Sequence, residues 1–177
     1  GMVGHRFIED LLDKAEPGQF DITVLCEEPR VAYDRVHLSS YFSHHTAEEL
    51  SLVREGFYEK HNVNVLIGER AITLNRQEKV IHSSSGRTVF YDKLIIATGS
   101  YPWVPPITGS DSQDCFVYRT IEDLHAIESC ARRSKRGAVV GGGLLGLEAA
   151  GALKNLGVET HVVEFAPGLM AEQLDVM

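Results

Sequence analysis

The chain has 177 residues, 44% of them hydrophobic, and a formal net charge of −8. That length suits one ordinary domain or two small ones, and the apolar content is that of a globular protein, not a disordered one. The acidic balance argues against nucleic acid and anionic membranes as partners, no apolar run reaches transmembrane length, and no basic–apolar signal segment opens the chain.

In chain order, Val3, Phe7, Ile8, Leu11 and Leu12 recur at helical spacing and predict an amphipathic helix over 3–15, ended by Pro17-Gly18. A short apolar strand is expected over 22–26 and a loop-rich stretch over 27–45. His44-His45 reads as surface and not as a metal site, because adjacent side chains do not face the same way on a helix or strand. A helix is expected over 49–61 and a strand over 63–67. Three short strands over 71–74, 79–82 and 88–91, joined by polar turns, predict an antiparallel meander. A buried strand is expected over 94–97, running into Thr98-Gly99-Ser100. Pro102, Pro105 and Pro106 mark an extended connector, followed by a strand over 115–118 and a helix over 120–133. Cys26, Cys115 and Cys130 stand far apart and form no C-x-x-C pair. No zinc site, iron–sulfur site or redox disulfide is expected within this chain, and the odd count fits a reducing cytoplasm.

The most specific signal comes late. Ala138-Val139-Val140 runs into Gly141-Gly142-Gly143-Leu144-Leu145-Gly146, then Leu147-Glu148-Ala149-Ala150, and a β-branched strand ends at Glu164. Strand, G-x-G-x-x-G, helix, strand and terminal acid make a dinucleotide-binding fingerprint. Gly141 permits the tight turn, Gly143 lets the backbone approach a pyrophosphate, and Gly146 lets helix and strand pack; Gly142 is the variable position. The helix N-terminus favours the anion, and Glu164 is placed to accept from ribose hydroxyls. An acid there disfavours a 2′-phosphate, and Phe165-Ala166 brings no arginine, so NADH is the expected nicotinamide nucleotide; Arg132, Arg133 and Arg136 are the cations left to oppose that preference.

The N-terminus repeats the second half of the pattern. Gly1-Met2-Val3-Gly4 opens a helix, and the next strand ends in Glu27-Glu28. Gly1 and Gly4 then stand as the last two glycines of a second fingerprint, with its first strand and glycine absent. If Gly1 merely precedes an initiator Met2, Gly4 and Glu27 still keep the spacing.

Two such units, with a meander and Ala97-Thr98-Gly99-Ser100 between them, resemble the FAD/NAD-linked pyridine-nucleotide reductases. Glu28-Pro29, Tyr33-Asp34-Arg35, Leu38-Ser39, Tyr91 to Gly99 and Arg119 to Asp123 are similar to segments of ferredoxin- and rubredoxin-type reductases. Val36 to Phe42, Ser100 to Trp103 and Arg132 to Val140 resemble, more narrowly, the large-subunit family of bacterial NAD(P)H-dependent nitrite reductases. The resemblance covers essentially the whole chain. It implies an α/β fold of FAD/NAD(P)-binding Rossmann-like units with a small antiparallel meander at about 63–99, truncated at both ends. A partial FAD-binding domain over 1–118 and a partial NAD-binding domain over 119–177 follow from it. It further implies a cytoplasmic oxidoreductase that passes hydride from NAD(P)H to FAD and feeds nitrite reduction through iron–sulfur and siroheme centres in later domains or a small subunit. The alternatives are a stand-alone ferredoxin- or rubredoxin-type reductase and a non-catalytic fragment.

By the same resemblance Gly1, Gly4, Glu27 and Ala71 would hold the FAD pyrophosphate and adenosine, and Thr98-Gly99 would turn the chain at the domain crossing. Arg35, Leu38, Ser39 and Arg119 would approach the flavin, and Glu148, the candidate catalytic residue, would lie where nicotinamide meets it. Arg119 equally reads as a partner of Glu122 or Asp123, Glu148 as a surface charge, and Arg35 as a loop ion pair. Ser40 replaces a lysine that many relatives carry beside the flavin. With no first glycine and no later Gly-Asp segment, the isolated chain is expected to hold little FAD, to be inactive toward nitrite, and to self-associate through open sheet edges.

Overall fold

A computed structural model describes residues 1–43, 46–171 and 174. His44 and His45 lie outside the described residues. The backbone falls into two compact units, one of residues 1–34 and 51–99, the other of residues 35–50 and 100–177.

In the first unit, helix α1 spans Met2–Lys14 and strand β1 spans Thr23–Cys26. β1 pairs in parallel with β2, Asn64–Ile67, from Thr23↔Asn64 to Cys26↔Ile67. The helix buries Ile8 and leaves Arg6 outside, 2.9 Å from Asp10. Ile8, Tyr58 and Val63 form the core, with Leu12, Ile22, Val24 and Val65 packed against them. His5 is buried on the same helix, with Nε2 3.2 Å from the Leu52 carbonyl and Nδ1 3.1 Å from the Tyr58 hydroxyl. A carbonyl only accepts, so Nε2 donates to it. Burial, and then the neighbouring Cys26 and Glu9 charges, push the Tyr58 phenol up to about 12.

The helix expected over 49–61 is reduced to one turn, α2, Phe57–Lys60. The backbone ahead of it pairs elsewhere: Leu52 N–H donates to Ala32 O (3.0 Å), Ser51 bridges Tyr33, and Gly56 at φ +72° starts a new turn. Tertiary hydrogen bonds outweigh local propensity here.

Strands β3 (Ala71–Asn75), β4 (Val80–Ser83) and β5 (Thr88–Phe90) form the antiparallel meander in that order. It is narrower than the expected 63–99, because β2 joins β1 in a parallel pair. The strand expected over 94–97 is not formed. No described strand pairs with it, and Ile95 and Ile96 are 55% and 68% exposed.

The second unit begins with a 3-10 helix, Leu38–Ser43. The proline connector has no regular structure and exposes Tyr101 and Trp103. The strand expected over 115–118 is likewise absent: the chain before it folds in successive turns, Ser110 to Ile107, Ser112 to Gly109 and Cys115 to Ser112. Helix α3, Ile121–Ala131, begins at a capping box. Thr120 Oγ1 accepts the Asp123 N–H at 3.1 Å, and Asp123 Oδ2 accepts the Thr120 N–H at 2.8 Å. Its Ile121 and Leu124 are fully buried. Strand β6 (Arg136–Val140), helix α4 (Leu144–Asn155) and strand β7 (Glu159–Val163) complete a βαβ unit. β6 and β7 pair in parallel from Arg136↔Glu159 to Val140↔Val163. The fold class is therefore α/β, with two parallel pairs and a small antiparallel meander. Among the described residues no helix is long and apolar enough to cross a membrane.

Candidate functional site

The glycine run leaves β6 and enters α4. Gly141 takes φ +110°, a backbone that side chains disfavour, and its N–H donates to Val163 O at 2.8 Å, tying the turn to β7. A Cβ built on Gly146 would lie 1.9 Å from the Gly141 carbonyl oxygen. The first turn of the helix is thus pressed onto the end of the strand, and only hydrogen fits between them. Gly143, the N-cap of α4, is different: a Cβ there would meet nothing within 4 Å. The space above the helix start is open. The N–H groups of Leu144, Leu145 and Gly146 have no intrahelical acceptor at that end, and no acidic side chain occupies the first turn. Free donors, the positive end of the helix dipole and an open approach fit an anionic pyrophosphate.

Glu164 closes the other side. Its Oε2 accepts the Gly142 N–H and its Oε1 accepts the Ala166 N–H at 2.8 Å. The Ala166 N–H, and then that of Gly142, hold the carboxyl below the usual 4.5. Glu164 is ionised at neutral pH, and its remaining lone pairs stay available to hydroxyl donors. The chain beyond it folds back over the turn, Met170 N–H donating to Gly142 O at 2.9 Å. A Cβ on Gly142 would lie 2.5 Å from Leu169 Cδ2 and 3.0 Å from Glu164 Oε2. Gly142 is therefore clasped and not a free variable position, because the fold-back occupies its outer side. Neither Leu169 nor Met170 carries a sequence signal for this contact.

The profile of the pyridine nucleotide-disulphide oxidoreductase family matches residues 1–177. This chain belongs to that family. It is 88% identical over its full length to the NADH nitrite reductase large subunit of Escherichia coli, of which it spans 21%. Against the NAD(P)H nitrite reductase large subunit of Klebsiella oxytoca it is 51% identical over 99% of this chain and 18% of that one. The chain thus spans about a fifth of the length of these relatives. Among solved structures, a ferredoxin reductase from Rhodopseudomonas palustris matches with a TM-score of 0.86 at 25% identity, covering 96% of this chain and 42% of that one. NADH:rubredoxin oxidoreductase from Clostridium acetobutylicum matches with a TM-score of 0.76 at 26% identity, over 83% and 39% of the two chains.

In this member of the pyridine nucleotide-disulphide oxidoreductase family, the remaining candidate residues fall into separate groups. In the first unit, Gly1 caps α1 and Gly4 lies one turn in, where a Cβ would sit 3.6 Å from that of Ala97. Thr98 follows, and Gly99 turns the chain at φ +70°. Glu27 stands at the end of β1, 3.5 Å from Arg70, and Ala71 opens β3. In the second unit, an Arg35 Nη1–H donates to the Arg119 carbonyl at 3.1 Å. The Arg119 backbone N–H goes to Asp123 and its guanidinium to Ser100 Oγ at 3.2 Å, so Arg35 and Arg119 lie together. Ser39 is half-buried in the 3-10 helix. Glu148 is half-buried on α4, one turn beyond the glycine run. Tyr118, which sequence reasoning passes over, has a buried hydroxyl with no hydrogen-bond partner among the described residues.

Proposed function

We propose that this chain is the nucleotide-handling part of an NADH-dependent nitrite reductase large subunit, acting in the cytoplasm. Residues 1–118 form its FAD-binding portion and 119–177 its NAD-binding portion. The observation that carries this reading is the cradle of Gly141, Gly143 and Gly146, open above Gly143 and closed beneath Gly146, in a chain 88% identical to an NADH nitrite reductase large subunit.

FAD, when bound, would supply a hydride-accepting ring, and iron–sulfur and siroheme centres of later domains would supply the onward electron chemistry. This chain's residues bind and orient. The α4 N-terminus takes the nicotinamide nucleotide's pyrophosphate, and Glu164 takes its adenosine ribose. Gly1, Gly4, Glu27, Ala71, Thr98 and Gly99 serve the FAD adenosine and pyrophosphate. Arg35, Ser39 and Arg119 serve the flavin, and Glu148 the nicotinamide end. NADH is the preferred nucleotide. The ionised Glu164 repels a 2′-phosphate, and the three cations left to oppose that preference pair elsewhere: Arg132 with Glu128, Arg133 with Asp114 at 3.2 Å, and Arg136 with Glu159 at 3.3 Å, at the opposite end of the β6–β7 pair from Glu164.

Val140 and Val163, at the ends of β6 and β7, are exposed, and these strands pair only with each other among the described residues. That supports self-association or coverage by further domains. The match to a ferredoxin reductase and a rubredoxin oxidoreductase supports the second reading, a reductase that serves a separate carrier. The test is anaerobic mixing of the full-length, FAD-loaded large subunit with NADH. Bleaching of the flavin band with NADH, and slower bleaching with NADPH, is expected; an unchanged spectrum would contradict the proposal.

A further inference from the structure

His5 is a buried polar side chain, 5% exposed, on the helix that the Gly1–Gly4 turn opens. Its backbone N–H donates to the Gly1 carbonyl at 3.0 Å and so closes that turn. Its ring reaches away from the turn. Nε2 donates to the Leu52 carbonyl at 3.2 Å, and Nδ1 stands 3.1 Å from the Tyr58 hydroxyl. Glu9 Oε1, 3.8 Å from Nε2, lies beyond hydrogen-bonding reach. Phe57 and Tyr58 meet the imidazole edge-on, with centroids 5.2 and 5.7 Å away.

An apolar side chain would fill this space without the cost of desolvating an imidazole. What the imidazole adds is direction. Residues 52–56 form no helix or strand, so packing alone sets the distance between them and α1 only loosely. A hydrogen bond fixes it. The same bond opens a series. The Leu52 N–H donates to Ala32 O at 3.0 Å, and the adjacent Tyr33 hydroxyl donates to Glu28 Oε2 at 2.6 Å. One run of contacts thus joins the Gly1–Gly4 turn to the acidic end of β1, where Glu27 and Glu28 stand. The turn itself has room for a ligand. A Cβ on Gly1 would meet nothing within 4 Å, and no acidic side chain occupies the first turn of α1.

We propose that His5 is a positioning residue: its bond to Leu52 holds the Gly1–Gly4 turn and Glu27 at the separation that the adenosine diphosphate half of FAD needs. It touches no cofactor atom. The inference rests on the reading that these residues serve the FAD pyrophosphate and adenosine.

The test is titration of the full-length large subunit, stripped of its flavin, with FAD, read by quenching of flavin fluorescence. His5→Gln and His5→Met are close in shape, and of the two only the Gln side chain carries an N–H that can reach Leu52 O. His5→Met should weaken FAD about fivefold to tenfold, while His5→Gln stays within about twofold of wild type. His5→Asn has a shorter amide that reaches toward Tyr58 and not Leu52. It should weaken FAD as His5→Met does, and it carries the comparison if the Met variant fails to fold. The melting temperatures of the FAD-free Gln and Met variants should match closely, which separates a misplaced turn from a weakened core. Wild-type FAD affinity in His5→Met and His5→Asn would overturn the proposal. So would a His5→Gln variant as weak as His5→Met, or a loss of affinity that tracks a fall in melting temperature. In each of these cases FAD binding by the wild-type protein leaves the reading of the turn standing. Failure of the wild-type protein to bind FAD would overturn both.

Discussion

Gly146→Ala should damage the fold itself. A Cβ at this position would lie 1.9 Å from the Gly141 carbonyl oxygen and 2.9 Å from its carbon. Both are backbone atoms, so no rotamer change relieves the overlap. The first turn of α4 must retreat by at least 1.1 Å merely to bring 1.9 Å up to 3.0 Å. That movement pulls on the Gly141 N–H bond to Val163 O (2.8 Å) and on the Leu147 N–H bond to Gly143 O (3.0 Å). The penalty belongs at the upper end of overpacking costs, about 3 kcal/mol. For a chain of this size it lowers the melting temperature by about 6–12 °C. Gly151→Ala is the matched control, in the same helix with nothing within 4 Å of its Cβ. It should stabilise by roughly 0.5–1 kcal/mol, because alanine loses less chain entropy on folding. Thermal melts followed by far-ultraviolet circular dichroism measure both. A Gly146→Ala melt within about 1 °C of wild type would refute the reasoning.

Thr120→Ala removes the oxygen that accepts the Asp123 N–H and should cost about 1 kcal/mol of stability, read from denaturant unfolding. Gly142→Ala meets only side-chain atoms, Leu169 Cδ2 and Glu164 Oε2, so its melting temperature should fall less than that of Gly146→Ala. Glu164 has a folded-state pKa held down by the Ala166 and Gly142 N–H groups. Its stabilisation is therefore present above the unfolded value near 4.5 and is lost as pH falls through the folded value. Glu164→Gln should flatten the acid limb of a plot of melting temperature against pH, with no change near neutrality in that dependence; an unchanged acid limb would remove Glu164 from the loop clasp.

What was legible in the sequence follows from the range of the interactions. The β6–α4–β7 unit and the helix that starts after Thr120 rest on residues close in sequence, so periodicity and spacing revealed them; the capping box itself came from the structure. The helix expected over 49–61 failed because Leu52 bonds Ala32 and Ser51 bridges Tyr33, partners that a local pattern does not contain. The apolar runs at 94–97 and 115–118 carry strand composition but find no strand beside them among the described residues. In the candidate site, the spacing of Gly141, Gly143, Gly146 and Glu164 was legible. The grip of Glu164 on Gly142 was not, since it depends on how the chain after β7 folds back. Tyr118 was not legible either, because an unpartnered hydroxyl is a property of the packing around it.

The central claim is that the start of α4 cradles the pyrophosphate of a nicotinamide nucleotide. Gly143→Val tests it most directly, because nothing in the protein lies within 4 Å of a Cβ there and the added side chain projects into the space reserved for the ligand. Calorimetric titration with NADH should show binding to the wild-type chain and none to Gly143→Val, at closely matched melting temperatures. Equal binding by both, or none by the wild-type chain, would contradict the account.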